Sequence, residues 1–120
     1  MEQAARAIGA LRIARVLDEA QLQERIALAL SGAGVGFSRE ARIGPGCRAD
    51  FLLDGGVIIE VKAGRRTRKN LLAQLSRYAA CEAVSAVLLV TNAPLHPPKT
   101  LCGKPVQVLN LRNLWGVAVN

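Results

Sequence analysis

Aromatic side chains are nearly missing from this 120-residue chain, which has two Phe, one Tyr and one Trp. A core of any size must therefore be assembled from Leu, Val, Ile and Ala. Cysteine is scarce as well. Cys47, Cys81 and Cys102 are odd in number, widely spaced and without a CxxC pair, which excludes a disulfide framework and a thiolate zinc site and points to a cytosolic, cytoplasmic protein. The one histidine, His96, stands in a Pro-rich loop, so Cys/His nucleophilic catalysis is excluded too. Acidic charge is in deficit: 9 Asp plus Glu oppose 16 Lys plus Arg, for a net charge of +7. Such a field favours a polyanionic partner. No charge-free run is long enough to span a bilayer, so no membrane partner is expected. Glu2, Arg6, Arg12 and Arg15 interrupt any apolar leader segment.

What is present is a globular composition, 51% apolar and 21% charged, in a length suited to one domain over residues 1–120. Residues 2–15 read as a loose leading helix weakened by Gly9. Asp18 is a candidate N-cap for a helix over 19–31, which the Gly32-Ala33-Gly34 breaker ends. A strand over 35–43 closes at Gly44-Pro45-Gly46. Two β-rich runs, 47–53 and 57–63, flank Asp54-Gly55-Gly56 and read as a hairpin. Residues 68–82 carry Leu71, Leu75, Tyr78 and Ala79 on one helical stripe. The continuous apolar run 84–92 suits a strand buried on both faces. A Pro-containing loop, a strand near 105–111 and a closing apolar segment through Trp115 complete the chain. The order is helix, three-stranded meander, helix, strand, strand: an α/β unit whose second helix can cross over into the same sheet.

The stretch "RADFLLDGGVIIEVKAG", Arg48 to Gly64, carries charge where strands are usually apolar. A three-residue loop at Asp54-Gly55-Gly56 sets Leu53 opposite Val57, and the same register sets Asp50 opposite Glu60. Directly opposed residues share a face with Cβ atoms about 5 Å apart. Lys62, two residues past Glu60, joins that face, while Ala49, Phe51, Leu53, Val57, Ile59 and Val61 form the apolar one. Two carboxylates so close repel by about 3–4 kcal/mol at an effective dielectric of about 20. A shared proton, Arg48 lying opposite Lys62, or a divalent cation each offers compensation. Hard cations such as Mg²⁺ take carboxylate oxygens and often complete their shell with substrate phosphates. The competing reading is a cross-strand salt-bridge cluster of Arg48, Asp50, Glu60 and Lys62 on a solvated sheet face.

Asp50, the glycine turn and Glu60-Val61-Lys62 together resemble the PD-(D/E)XK nuclease superfamily, although Ala49 stands where the motif's proline would be. The element order over roughly 19–92 is similar to that superfamily's restriction-endonuclease-like core, a mixed sheet flanked by helices. "AQLSRYA" is similar to its Gln-x-x-x-Tyr pattern, in Gln74 and Tyr78. The resemblance implies that Asp50, Glu60 and the Val61 carbonyl bind Mg²⁺ or Mn²⁺, with Lys62 and Gln74 flanking the attacking water. It also implies a glutamate on the first core helix. Glu19 falls on the Leu22, Ile26, Leu30 stripe and Glu24 points nearly opposite, so Glu19 is preferred; Glu40 on the first strand is a third candidate. A first-turn acid complementing the helix dipole explains Glu19 equally well.

The excess basic charge then acquires a place. Arg65, Arg66, Arg68 and Lys69 follow the ExK strand directly, and Arg77 comes one helix turn beyond Gln74. These residues are the expected nucleic-acid contacts, neutralising phosphates without reading bases. With so few aromatics, a single-strand stacking platform is not expected. The reading is a metal-dependent endonuclease acting on DNA, duplex or branched, alone or as a homodimer; the apolar segment around Leu114, Trp115 and Val117 is expected to pack under the sheet, with a dimer interface as its alternative. The alternative is a nuclease-fold module that binds nucleic acid or a protein partner without cutting.

Overall fold

The computed structural model describes residues 1–11, 18–63, 68–92 and 96–111. Helix α1, Glu2–Gly9, turns Ala4, Ala5 and Ile8 inward. It is shorter than the leading helix expected over 2–15, of which residues 12–15 lie outside the described residues. Asp18 holds an extended conformation and caps α2, Glu19–Gly32. Its Oδ1 accepts from the Gln21 amide at 2.8 Å, and Gln21 Oε1 accepts from the Asp18 amide at 3.0 Å. This reciprocal box satisfies donors that a helix start leaves free. It also fixes Glu19 as the first helical residue.

The strands are β1 (Phe37–Gly44), β2 (Cys47–Leu53) and β3 (Val57–Lys62). Helix α3 (Arg68–Ala79) then leads to β4 (Ala86–Thr91), β5 (Thr100–Leu101) and β6 (Lys104–Asn110). They form one six-stranded sheet in the order β1-β2-β3-β4-β6-β5. The meander β1-β2-β3 is antiparallel, as expected. The β3-α3-β4 crossover makes β3 and β4 parallel, and β6 runs parallel to β4. The sheet is thus mixed, with the antiparallel hairpin at one side. The two-residue β5 was not foreseen; it is too short to show alternation.

Each face of the sheet has its own core. On one side α1 and α2 press Ile8, Leu22, Ile26 and Leu30 onto Phe51, Ile59, Val61, Leu88 and Val90. On the other, α3 presses Leu71, Leu75, Tyr78 and Ala79 onto Ile58, Val87 and Leu89. Every residue of β3 and β4 is buried, which accounts for the apolar runs 57–59 and 86–90 within them. Full burial of one such side chain stabilises the fold by about 1.5–3 kcal/mol. Against that background Glu60, Lys62 and Thr91 are conspicuous, being the polar members of the buried set.

The hairpin turn is locked in place. Gly55 and Gly56 both take positive φ, at 93° and 92°. The Ser85 amide and hydroxyl donate to the Gly56 and Gly55 carbonyls, each at 2.8 Å. The turn that sets the β2–β3 register is therefore bolted to the start of β4.

Candidate active site

Beyond the Phe51–Ile59 pair the ladder between β2 and β3 stops. Where the next residues would exchange backbone hydrogen bonds, side chains intervene. The Asp50 amide donates to Glu60 Oε2 at 2.8 Å, and the Val61 amide donates to Asp50 Oδ2 at 2.8 Å. Asp50 and Glu60 do meet across the hairpin, as the turn length predicts, but they lie in a parting of the strands rather than on a continuous pleat.

The parting corrects one expectation. Ala49, expected on the apolar face with Phe51, packs on the α3 side with Ile43, Cys47 and Ile58, whereas Phe51 packs against α1 and α2. Alternation thus breaks at Asp50. The adjacent strand breaks at the same level: β1 pairs with β2 at Arg39↔Phe51 and Ala41↔Ala49, while Glu40 between them takes φ 51°. Arg48, a candidate counter-charge, is exposed and makes no ion pair with either acid among the described residues.

The acids are electrostatically loaded. Glu60 is 1% exposed, and burial followed by the neighbouring Asp50 charge pushes its carboxyl up to about 7. Burial also raises Asp50, with Glu40 and Glu19 adding to the effect, against the opposing Val61 hydrogen bond and the Lys62 charge. Lys62 Nζ stands 3.7 Å from Glu60 Oε1. Glu60 and Lys62 lie toward the C-terminal end of β3, met by Asp50 from β2, beside Thr91 at the C-terminal end of β4, which pairs with Lys62 in register. In open α/β sheets that edge is where ligands bind. Thr91 was not foreseen; the sole signal was a hydroxyl ending an otherwise apolar strand.

Of the candidate additional acids, Glu19 reaches the site. Its Oε2 accepts from the Ala63 amide at 3.1 Å, joining the start of α2 to the end of β3. Glu24 instead pairs with Arg39 at 2.7 Å on the surface. Gln74 donates to Tyr78 Oη at 3.1 Å, and no hydrogen bond joins it to Asp50, Glu60 or Lys62 among the described residues. Arg77 lies over the Tyr78 ring, 5.7 Å from its centroid. Arg65 and Arg66 lie outside the described residues, as do the side chains of Arg68 and Lys69 at the start of α3 and the Leu114, Trp115, Val117 segment.

Among the described residues no three Asp, Glu, His or Cys side chains converge closely enough to enclose a metal unaided. The donor set nevertheless fits a hard divalent cation. Two adjacent carboxylates, raised by burial and offset by one ammonium, leave an anionic demand that such an ion meets, with water and phosphate oxygens completing its shell.

Fold and site together define an α/β domain of the restriction-endonuclease type. The family model of the PD-(D/E)XK nuclease superfamily matches residues 14–98, and the chain belongs to that superfamily. The match spans α2, β1 to β3, α3 and β4, and so contains the whole carboxylate centre. No curated protein and no solved structure matches the chain. No helix among the described residues is long and apolar enough to cross a membrane.

Proposed function

We propose that the protein is a Mg²⁺- or Mn²⁺-dependent endonuclease that hydrolyses phosphodiester bonds in DNA, duplex or branched. The observation that carries this reading is the crossed hydrogen bonding in which the Asp50 amide donates to Glu60 and the Val61 amide donates to Asp50, beside Lys62, which fastens two carboxylates and an ammonium where β2 and β3 part.

Asp50, Glu60 and the Val61 carbonyl are the groups that would hold the cation, with Glu19 as the additional acid. When bound, a divalent ion polarises a phosphoryl oxygen and lowers the pKa of water. The protein's own groups do the rest. Lys62, anchored by Glu60, presents a cation toward charge developing on the phosphate. The Val61 and Asp50 amides hold the carboxylates in fixed orientations, so little reorganisation remains when substrate arrives. Gln74 flanks the water from α3, and the basic run Arg65, Arg66, Arg68, Lys69 with Arg77 neutralises flanking phosphates. One such site cuts one strand, so a double-strand break calls for two copies of the chain or two successive cuts.

The test is nicking of plasmid and of branched DNA with Mg²⁺ or Mn²⁺. Asp50→Ala and Lys62→Ala are each expected to lower the rate by about 10²–10³-fold or more while DNA binding persists. Salt-sensitive binding by pure protein that never cuts any substrate with either metal would instead assign a non-cutting binding module.

A further inference from the structure

The β1–β2 ladder carries an unusual pair just beyond the carboxylates. Arg42 on β1 and Arg48 on β2 are register partners across an antiparallel pair, which places their Cβ atoms about 5 Å apart. Both are exposed. The residues between and beside them, Ile43, Cys47 and Ala49, are buried in the α3-side cluster. By strand alternation the two arginines therefore face the opposite side, away from α3. Like charges set directly opposite destabilise a sheet, and proteins usually answer them with a counter-charge.

Here none is supplied. Among the described residues neither arginine makes an ion pair, a hydrogen bond or a ring contact. Several other cations among the described residues are engaged. Arg39 pairs with Glu24 and lies over Phe51, Lys62 faces Glu60, and Lys104 donates to the Cys81 carbonyl at 2.7 Å. The nearest acids along each strand, Glu40 and Asp50, stand two residues away without bridging to the pair.

We propose that Arg42 and Arg48 form a phosphate clamp, absorbed by neither the carboxylate centre nor the basic run after β3, that seats the nucleic-acid backbone as it enters the site. The inference rests on the nuclease reading, because it takes the scissile phosphate to lie at Asp50 and Glu60. Arg48 is two strand residues from Asp50, about 7 Å. A strand whose scissile phosphate lies at the carboxylates brings a neighbouring phosphate within reach of both guanidinium forks. Arg is suited to this role because its planar donors match phosphate oxygens in pairs. The clamp reads no bases, so it contributes affinity and alignment rather than sequence preference.

Fluorescence anisotropy with a labelled DNA duplex in EDTA, titrated with salt between about 50 and 200 mM, isolates the effect. Arg42→Gln with Arg48→Gln is expected to reduce the salt slope by about two and weaken binding about tenfold or more, equally for unrelated sequences. The Arg42→Lys, Arg48→Lys variant should recover the slope. The melting temperature of the Gln variant without DNA should be unchanged or higher, since a repulsion is removed; a fall would assign the pair a structural role and overturn the clamp. Wild-type slope and affinity in the Gln variant, with wild-type protein binding and nicking DNA, would overturn the clamp alone. Absence of both DNA binding and cleavage in the wild type would overturn the nuclease reading as well.

Discussion

Glu60 Oε2 accepts the Asp50 amide at 2.8 Å while Asp50 Oδ2 accepts the amide next to Glu60, that of Val61, at 2.8 Å. The pair thus replaces the backbone ladder where the two strands separate. Orientation comes from the backbone and the charge stays available to a cation. The cost is two carboxylates confined together at low exposure, and it governs how the protein should respond to pH.

For Glu60 the folded carboxyl titrates at about 7, above its ordinary 4.5. A raised acid stabilises the fold fully below its unfolded pKa, and that contribution is lost as pH rises through the folded value. Metal-free protein should therefore lose up to about 3 kcal/mol between pH 4.5 and 8 from Glu60 alone. Asp50, also raised, acts in the same direction. Mg²⁺ or Mn²⁺ should restore stability at pH 8 by about 2–3 kcal/mol at a hundredfold excess over Kd, and far less at pH 5, where a proton occupies the Glu60 carboxyl. Thermal melts at the two pH values, with and without each cation, measure both effects.

The same reasoning predicts a variant that is more stable and less active. Glu60→Gln keeps an oxygen that can accept from the Asp50 amide and removes the buried charge. At pH 8 without metal its unfolding free energy should rise by about 1–3 kcal/mol. Stabilisation by divalent cation and DNA nicking should both vanish. Denaturant melts and isothermal titration with Mn²⁺ decide; a fall in stability would show that the Glu60 charge is already compensated within the protein.

Much of this centre was legible in the sequence because two rules fix it: a three-residue turn sets the register, and period-two alternation sets the faces. Asp50 opposite Glu60 followed from those rules alone, and the Asp18 cap with Glu19 on the inward stripe followed from helical spacing. What escaped were departures from the rules. The parting at Asp50 moves Ala49 to the α3 side and ends the β2–β3 pairing before it reaches Arg48 and Lys62, because a carboxylate that bonds to backbone amides competes with the ladder, and pattern alone does not say which wins. Gln74 lay on the expected helix, yet its amide goes to Tyr78 one turn along, a contact equally compatible with the spacing.

Glu19 and Glu24 should separate cleanly on mutation. Removing the Glu19 carboxylate strips the Ala63 amide of its acceptor and unties α2 from the end of β3. Glu19→Ala should cost about 1–2 kcal/mol and depress nicking. Glu24→Ala removes an exposed pair with Arg39, its Glu24 side chain 67% exposed, and should change stability by about 0.5 kcal/mol or less with activity unaltered. Equal effects of the two substitutions would contradict the assignment of Glu19 to the site.

The hairpin turn offers a test of how register reaches chemistry. A Cβ on Gly56 would lie 2.6 Å from the Ala83 carbonyl oxygen, and Gly56 has φ 92°; on Gly55, with φ 93°, it would meet open space. Gly55→Ala should cost about 1–2 kcal/mol from backbone strain alone. Gly56→Ala must also push the turn off the start of β4, breaking the Ser85 hydrogen bonds that hold it, so its cost should exceed that of Gly55→Ala by about 1–3 kcal/mol. Because this turn sets where Asp50 meets Glu60, Gly56→Ala should lose nicking activity beyond what its unfolded fraction explains, whereas Gly55→Ala should lose only that fraction. Melting curves paired with nicking rates measured well below each midpoint separate the two, and full specific activity in folded Gly56→Ala would show that the carboxylates are aligned without help from the turn.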